Sequence, residues 1–300
     1  MLAVAVKRSF LAVGGYAHRL SRAPFPGLAT LCYHNVIADG ETGLVPFRAL
    51  HVTAERFRSH CRLLSRNCTP VSMAQVLSFL DGGPALPPRA VLLTFDDGYR
   101  NMLRIAAPIL MEFRIPATFF VATGRPDGGL LWYDAAAAAL GDENVEALKS
   151  LPPEALLARS QEWASRPSVC PAAATMTPAE VRQLAALPGM SIGAHSVTHS
   201  ILAKGSTAFQ RDEVAGSRGT LADWLGVAPV AFAYPNGRPE LDFNGETETL
   251  VEEAGFRAAF TTVPGFAVKG CPRFRMPRFL MTDIDSSELA HRLAVSWSRT

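Results

Sequence analysis

The segment Val91-Leu92-Leu93-Thr94-Phe95-Asp96-Asp97-Gly98-Tyr99 carries an apolar strand straight into two adjacent carboxylates and a glycine. A short apolar run of this kind suits a strand of a parallel sheet, covered on both faces. In parallel α/β folds, active sites gather at the carboxyl ends of the strands. Two neighbouring acids at such a place repel each other unless a cation or a proton sits between them. A metal ligand beside a general base resolves that conflict. The competing reading is an Asp helix cap followed by a glycine turn.

Working outward, similar apolar runs occur at Leu28–Tyr33, Ala117–Ala122, Met190–Ala194, Val230–Tyr234 and Ala258–Thr262. Helical periodicity fills the gaps over Thr53–Ser65, Asn101–Phe113, Thr177–Leu187, Phe209–Leu225 and Glu246–Ala254. Thr177-Pro178-Ala179-Glu180 is a capping-box signature with Pro at the first helical position. Alternating strand and helix predicts an α/β fold on a parallel sheet, open or closed into a barrel. Residues 28–285 read as one domain, with 1–27 as an extension and 286–300 as a tail. A stretch rich in Ala, Glu and Pro near 135–175 has no strand pattern and reads as a helical insertion.

A second run into polar residues is Ser191-Ile192-Gly193-Ala194-His195-Ser196-Val197-Thr198-His199. One helical turn would place the two imidazoles, four residues apart, on the same face. That is a common way to hold a divalent ion, although buried structural histidines give the same spacing. Asp97, His195 and His199 together would form a three-ligand set with open positions, suited to zinc, cobalt or iron. A third strand ends in Tyr234-Pro235-Asn236-Gly237. Pro lacks an N–H, so the donors after it belong to Asn236 and Gly237. One of them could stabilise an oxyanion, and an ordinary turn is the alternative.

Bulk properties narrow the function. Apolar content of 48%, charged content of 19% and a net charge of +2 describe a globular chain with no basic block and no nucleic-acid partner. Cys32, Cys61, Cys68, Cys170 and Cys271 are odd in number and contain no C-x-x-C pair, which argues against a disulfide framework or zinc ribbon. The N-terminus lacks the charge order and cleavage site of a secretory signal. No run reaches the roughly 18 apolar residues that span a bilayer. A cytoplasmic location is therefore expected. Residues 2–20, flanked by Lys7, Arg8, His18, Arg19 and Arg22, are a candidate amphipathic helix for peripheral membrane contact.

Taken in order, these segments resemble the polysaccharide deacetylases, the NodB-homology group of carbohydrate esterases, in particular its biofilm-polysaccharide branch. Thr94–Gly98 (TFDDG) matches the first family motif. His195–His199 matches the H-[ST]-x-x-H second motif, and Phe232–Gly237 (FAYPNG) resembles a variant third motif. Pro116–Val121 and Gly255–Phe260 resemble connecting strands, so the likeness runs from about Leu28 to Leu280.

The resemblance implies a distorted (β/α) barrel of about seven parallel strands. It also implies a divalent metal, zinc foremost with cobalt, nickel or iron as other candidates, and removal of N-acetyl groups from the amino sugars of a glycan or glycan precursor. Asp96 would be the general base, Asp97, His195 and His199 the metal ligands, and the Asn236 N–H an oxyanion donor beside Tyr234 and Pro235. Two departures stand out. The family's Arg two residues before the Pro is Ala233 here, which makes Arg278 the candidate replacement. The usual late acid histidine is also missing, since His291 falls in a helical tail. Cys32-Tyr33-His34-Asn35-Val36 resembles the Tyr-His motif of the biofilm branch, so His34 is the expected acid. Trp132, in Leu131-Trp132-Tyr133-Asp134, is a candidate wall for a sugar ring or a core residue. Alternatives are a deacylase of a lipid-linked amino sugar at the inner membrane face, and a non-catalytic carbohydrate-binding domain.

Overall fold

The computed structural model describes residues 20, 25–41, 43, 45–164 and 171–296. The chain runs through Leu28–Tyr33 (β1), Asn35–Ile37 (β2), His51–Thr53 (β3), Ala54–Asn67 (α1), Thr69–Pro70 (β4), Met73–Leu80 (α2) and Ala90–Phe95 (β5). A π-helical turn, Met102–Ala106, leads into Ala107–Phe113 (α3) and Ala117–Val121 (β6). Trp132–Leu140 (α4), Val145–Leu148 (α5) and Pro153–Ala164 (α6) follow as a run of helices, the segment read from the sequence as an insertion. Pro178–Ala185 (α7), Met190–Ala194 (β7), Thr207–Leu225 (α8), Ala231–Ala233 (β8), Gly245–Glu253 (α9) and Ala258–Phe260 (β9) continue the alternation. Phe266–Ala267 (β10), Phe279–Leu280 (β11) and Ser286–Ser296 (α10) complete it. The candidate membrane segment, apart from Leu20, and Cys170 lie outside the described residues. Among the described residues no helix is long and apolar enough to cross a membrane.

Seven strands run parallel in the order β11-β1-β5-β6-β7-β8-β9, and β10 lies antiparallel on β1. The sheet curls, and the segment leading into β11 joins its two ends. Met276 bridges Phe260 of β9, whereas Phe279 pairs with Leu31 of β1. Arg278 therefore sits on the seam between the first and last long strands.

Period-two alternation decides what faces inward. Ala29, Leu31, Tyr33, Val91, Leu93 and Phe95 belong to the core layer that includes Phe57, Cys61 and Leu64 of α1 and Ile109 and Leu110 of α3. Leu28, Leu92, Phe120, Ala231, Ala233 and Phe260 form a second cluster, joined by Met73, Val76 and Leu77 of α2. Gly193 fits that packing because a Cβ there would lie 2.4 Å from the Phe120 ring. Leu289, Ala290, Leu293 and Ala294 of α10 join the first cluster. The insertion has its own satellite core, with Trp132, Ala136, Val145, Leu148, Leu156 and Trp163. Thr177 caps α7 through the expected box with Glu180.

Candidate active site

Strand alternation places Cys32, Thr94 and Asp96 on one face, and β1 and β5 pair in register Cys32↔Thr94. Asp96 extends that register one step, since its N–H donates to the Tyr33 carbonyl at 2.9 Å. Arg278 reaches it from the seam. Its Nη1 and Nη2 donate to the two Asp96 carboxylate oxygens at 2.6 and 2.7 Å, and its Nε donates to the Thr261 carbonyl at 2.8 Å. Arg278 is fully buried and Asp96 is 2% exposed. Burial alone would raise the Asp96 pKa, but the guanidinium outweighs it and holds the carboxyl below its usual range. The Cys32 thiol points at the same carboxylate, with Sγ 3.4 Å from Oδ2.

Strand alternation would turn the next side chain away, but Asp97 has a left-handed backbone, at φ 79°, followed by Gly98 at φ 87°, and it lines the same cavity as Asp96. Its Oδ1 lies 3.4 Å from His195 Nε2 and 3.3 Å from His199 Nε2. The two imidazole centroids are 4.8 Å apart. No helix produces this arrangement, contrary to the helical turn expected from the spacing. After β7 the chain forms a loop in which Ser196 and His199 have φ values of 61° and 59°. The irregular backbone turns both rings toward Asp97 where a helix would have stacked them along one face.

The donor set suits a divalent cation. Asp97 Oδ1 is buried without a hydrogen-bond partner. Tetrahedral zinc with ligands at about 2.0–2.1 Å separates its donors by about 3.3–3.4 Å, and the distances from Oδ1 to the two imidazoles fall in that range. The His195 Nδ1–H donates to the Ala233 carbonyl at 2.7 Å, leaving Nε2 free as a lone-pair donor. Cys32, His34 and Asp96 form a second compact cluster of potential ligands beside the first.

The remaining predicted residues divide in two. His34, Asn236 and Trp132 line the cavity with Asp96, Asp97, His195 and His199. The His34 Nδ1 is buried without a partner. Asn236 has φ 57°, a left-handed conformation that Asn tolerates well. The Gly237 N–H is taken by the Pro235 carbonyl at 2.7 Å, so of the two donors expected after the proline only Asn236 remains. Trp132 is 5% exposed and its indole N–H donates to the His199 carbonyl at 3.0 Å. Tyr234 does not reach the cavity. Its ring stacks on Phe243 at 3.8 Å and its hydroxyl donates to the Phe274 carbonyl at 3.1 Å.

Three other cavity residues, His51, Lys149 and Arg238, had no signal of their own in the sequence. His51 lines the wall from β3, and burial lowers its pKa to about 4. Tyr99 donates to Asp134, and Tyr133 lies 4.8 Å from the His199 ring, centroid to centroid. Lys149 and Arg238 also line the cavity. These residues lie far apart in sequence and meet only through the insertion and the strand-end loops.

A curled parallel sheet with an Asp-His-His set and an arginine-paired carboxylate at its carboxyl end defines a hydrolase of the NodB-homology class. Residues 83–259, more than half of the chain, match the polysaccharide deacetylase family profile, and the chain belongs to that family of hydrolases acting on carbon–nitrogen bonds. It is 34% identical over 132 residues to the poly-beta-1,6-N-acetyl-D-glucosamine N-deacetylase of Escherichia coli (strain K12), a match covering 42% of this chain and 18% of that protein. The chain thus spans less than a fifth of that relative. It is 23% identical over 244 residues to a putative polysaccharide deacetylase of Bacillus subtilis, YxkH, covering 80% of this chain and 66% of that one. Among solved structures, the Streptococcus pyogenes deacetylase PplD in complex with acetate superposes with a TM-score of 0.65 at 20% identity, covering 90% of this chain and 99% of that one. IcaB from Ammonifex degensii gives 0.63 at 21% identity, covering 91% and 97%.

Proposed function

We propose that the chain is a metal-dependent N-deacetylase of N-acetylated amino sugars in a glycan or glycan precursor. Asp97, His195 and His199 hold the ion, and zinc suits two imidazoles and one carboxylate. The observation that carries this reading is the buried, unpartnered Asp97 Oδ1 with two imidazole nitrogens within 3.4 Å. When bound, a divalent ion there supplies Lewis-acid polarisation of the amide carbonyl.

The chain's own groups account for the proton traffic. Asp96, held ionised and oriented by Arg278, takes a proton from the attacking water as its oxygen bonds to the acetyl carbon. The Asn236 N–H donates to the developing oxyanion. His34 delivers a proton to the sugar nitrogen as the C–N bond breaks, releasing acetate and a free amine. The kinship with the E. coli poly-beta-1,6-N-acetyl-D-glucosamine N-deacetylase supports a β-linked N-acetylglucosamine substrate.

A fluorescamine screen for freed amines over N-acetylated oligosaccharides tests the proposal. Metal-reconstituted protein should release amine, and chelator-stripped protein should not. Metal-loaded protein that frees no amine from any N-acetylated glycan would overturn it.

A further inference from the structure

The left-handed loop that aims His199 is gripped by a residue outside every motif noted above. Glu213 lies on α8, 4% exposed. Its Oε2 accepts the Val197 and Thr198 backbone N–H groups at 3.1 and 2.9 Å, and its Oε1 accepts the Thr198 hydroxyl at 2.8 Å. One carboxylate thus fixes two consecutive peptide units inside the segment that carries both left-handed residues. Helix α8 also packs closely on that loop, since a Cβ at Gly216 would lie 3.3 Å from a Val197 methyl. Downstream, the His199 N–H donates to Ser196 Oγ at 3.0 Å, and Trp132 holds the His199 carbonyl. Ser196 and His199 are not glycines, so their conformation persists only where surrounding contacts over-determine it.

We infer that Glu213 is a positioning residue for the Asp97-His195-His199 set, acting on His199 through the Val197–Thr198 peptides. This rests on reading those three residues as metal ligands. Groups that orient ligands from behind typically change metal affinity by 10–100-fold when removed. The geometry also separates position from charge. In Glu213→Gln the amide oxygen can replace Oε2 and accept both N–H groups. The amide NH2 can then donate to Thr198 Oγ1, whose own proton turns to Ser200 Oγ, 2.7 Å away. Glu213→Asp keeps the charge but withdraws both acceptors by one methylene.

The test is the Zn2+ dissociation constant of the full chain, measured by competition with a chromophoric chelator and no substrate present. Wild type, Glu213→Gln, Glu213→Asp, Glu213→Ala and Asp97→Ala are compared. Glu213→Gln should bind within about 3-fold of wild type, and Glu213→Asp and Glu213→Ala at least 10-fold more weakly. Near-ultraviolet circular dichroism of the apo forms checks that each is folded. If Glu213→Ala does not fold, the Gln and Asp variants carry the comparison. Wild-type affinity in Glu213→Asp, or weaker binding in Glu213→Gln than in Glu213→Asp, would overturn the inference. Wild-type affinity in Asp97→Ala would instead overturn the ligand assignment itself.

Discussion

Removing the Arg278 guanidinium should destabilise the fold by more than an ordinary surface ion pair would. Arg278 and Asp96 are paired through two contacts of 2.6 and 2.7 Å, with side chains 0% and 3% exposed. Arg278→Met leaves a carboxylate buried without its countercharge, which costs about 3–5 kcal/mol. Against a typical total of about 5–15 kcal/mol that loss is readily measured. Adding Asp96→Leu removes the stranded charge, and apolar replacement of a whole buried pair is often close to neutral. The double variant should therefore recover at least about 2 kcal/mol relative to Arg278→Met, a coupling expected of groups in direct contact. Urea unfolding of the apo forms, followed by circular dichroism with m held constant, gives the cycle. An Arg278→Met cost below about 1 kcal/mol, or strict additivity of the two changes, would refute the claim that this pair is mutually dependent.

Three further outcomes follow from particular contacts. Burial lowers the His60 pKa to about 4, against 6.5 for the free side chain. Between those values the unfolded chain binds a proton that the folded chain does not. His60 therefore stabilises fully above about pH 6.5, and that contribution fades as the pH falls toward 4. Wild-type stability should drop by about 2 kcal/mol from this group between pH 7.5 and 5, and His60→Gln should remove that part of the slope in urea titrations. An unchanged slope would contradict this assignment. Trp132→Phe deletes the indole donor to the His199 carbonyl, and Zn2+ affinity measured by chelator competition should fall about 10-fold; unaltered binding would leave Trp132 as packing only. Gly193→Ala would drive a methyl into the Phe120 ring, and urea unfolding should show a loss of about 1–3 kcal/mol, whereas unchanged stability would mean the ring yields freely.

Much of the architecture was legible because buried parallel strands announce themselves as apolar runs with abrupt polar ends. Leu28–Tyr33, Ala90–Phe95 and Met190–Ala194 occupy the strand positions expected of them. The paired strands Asn35–Ile37 and His51–Thr53 were not legible, since three residues cannot show a period. The His195–His199 spacing invites a helix, whereas the loop's backbone is held in a non-helical path by contacts from Glu213, Trp132, Thr123 and Gly124 that no local pattern announces. Arg278 was a candidate only through the resemblance, as a substitute for the arginine missing at Ala233, and the seam between β9 and β11 is what carries it to Asp96. His51 and Glu213 sit in segments whose local pattern says only strand or helix. Tyr234 looked like part of the third motif, but the strand's alternation turns its ring into the core against Phe243.

The central claim is that one divalent ion is held by Asp97, His195 and His199. Crystallography of zinc-soaked protein, with anomalous data collected on both sides of the zinc edge, tests it most directly. A single peak within about 2.0–2.2 Å of Asp97 Oδ1 and both Nε2 atoms is predicted. A peak among Cys32, His34 and Asp96 instead, or none near the paired acids, would contradict it.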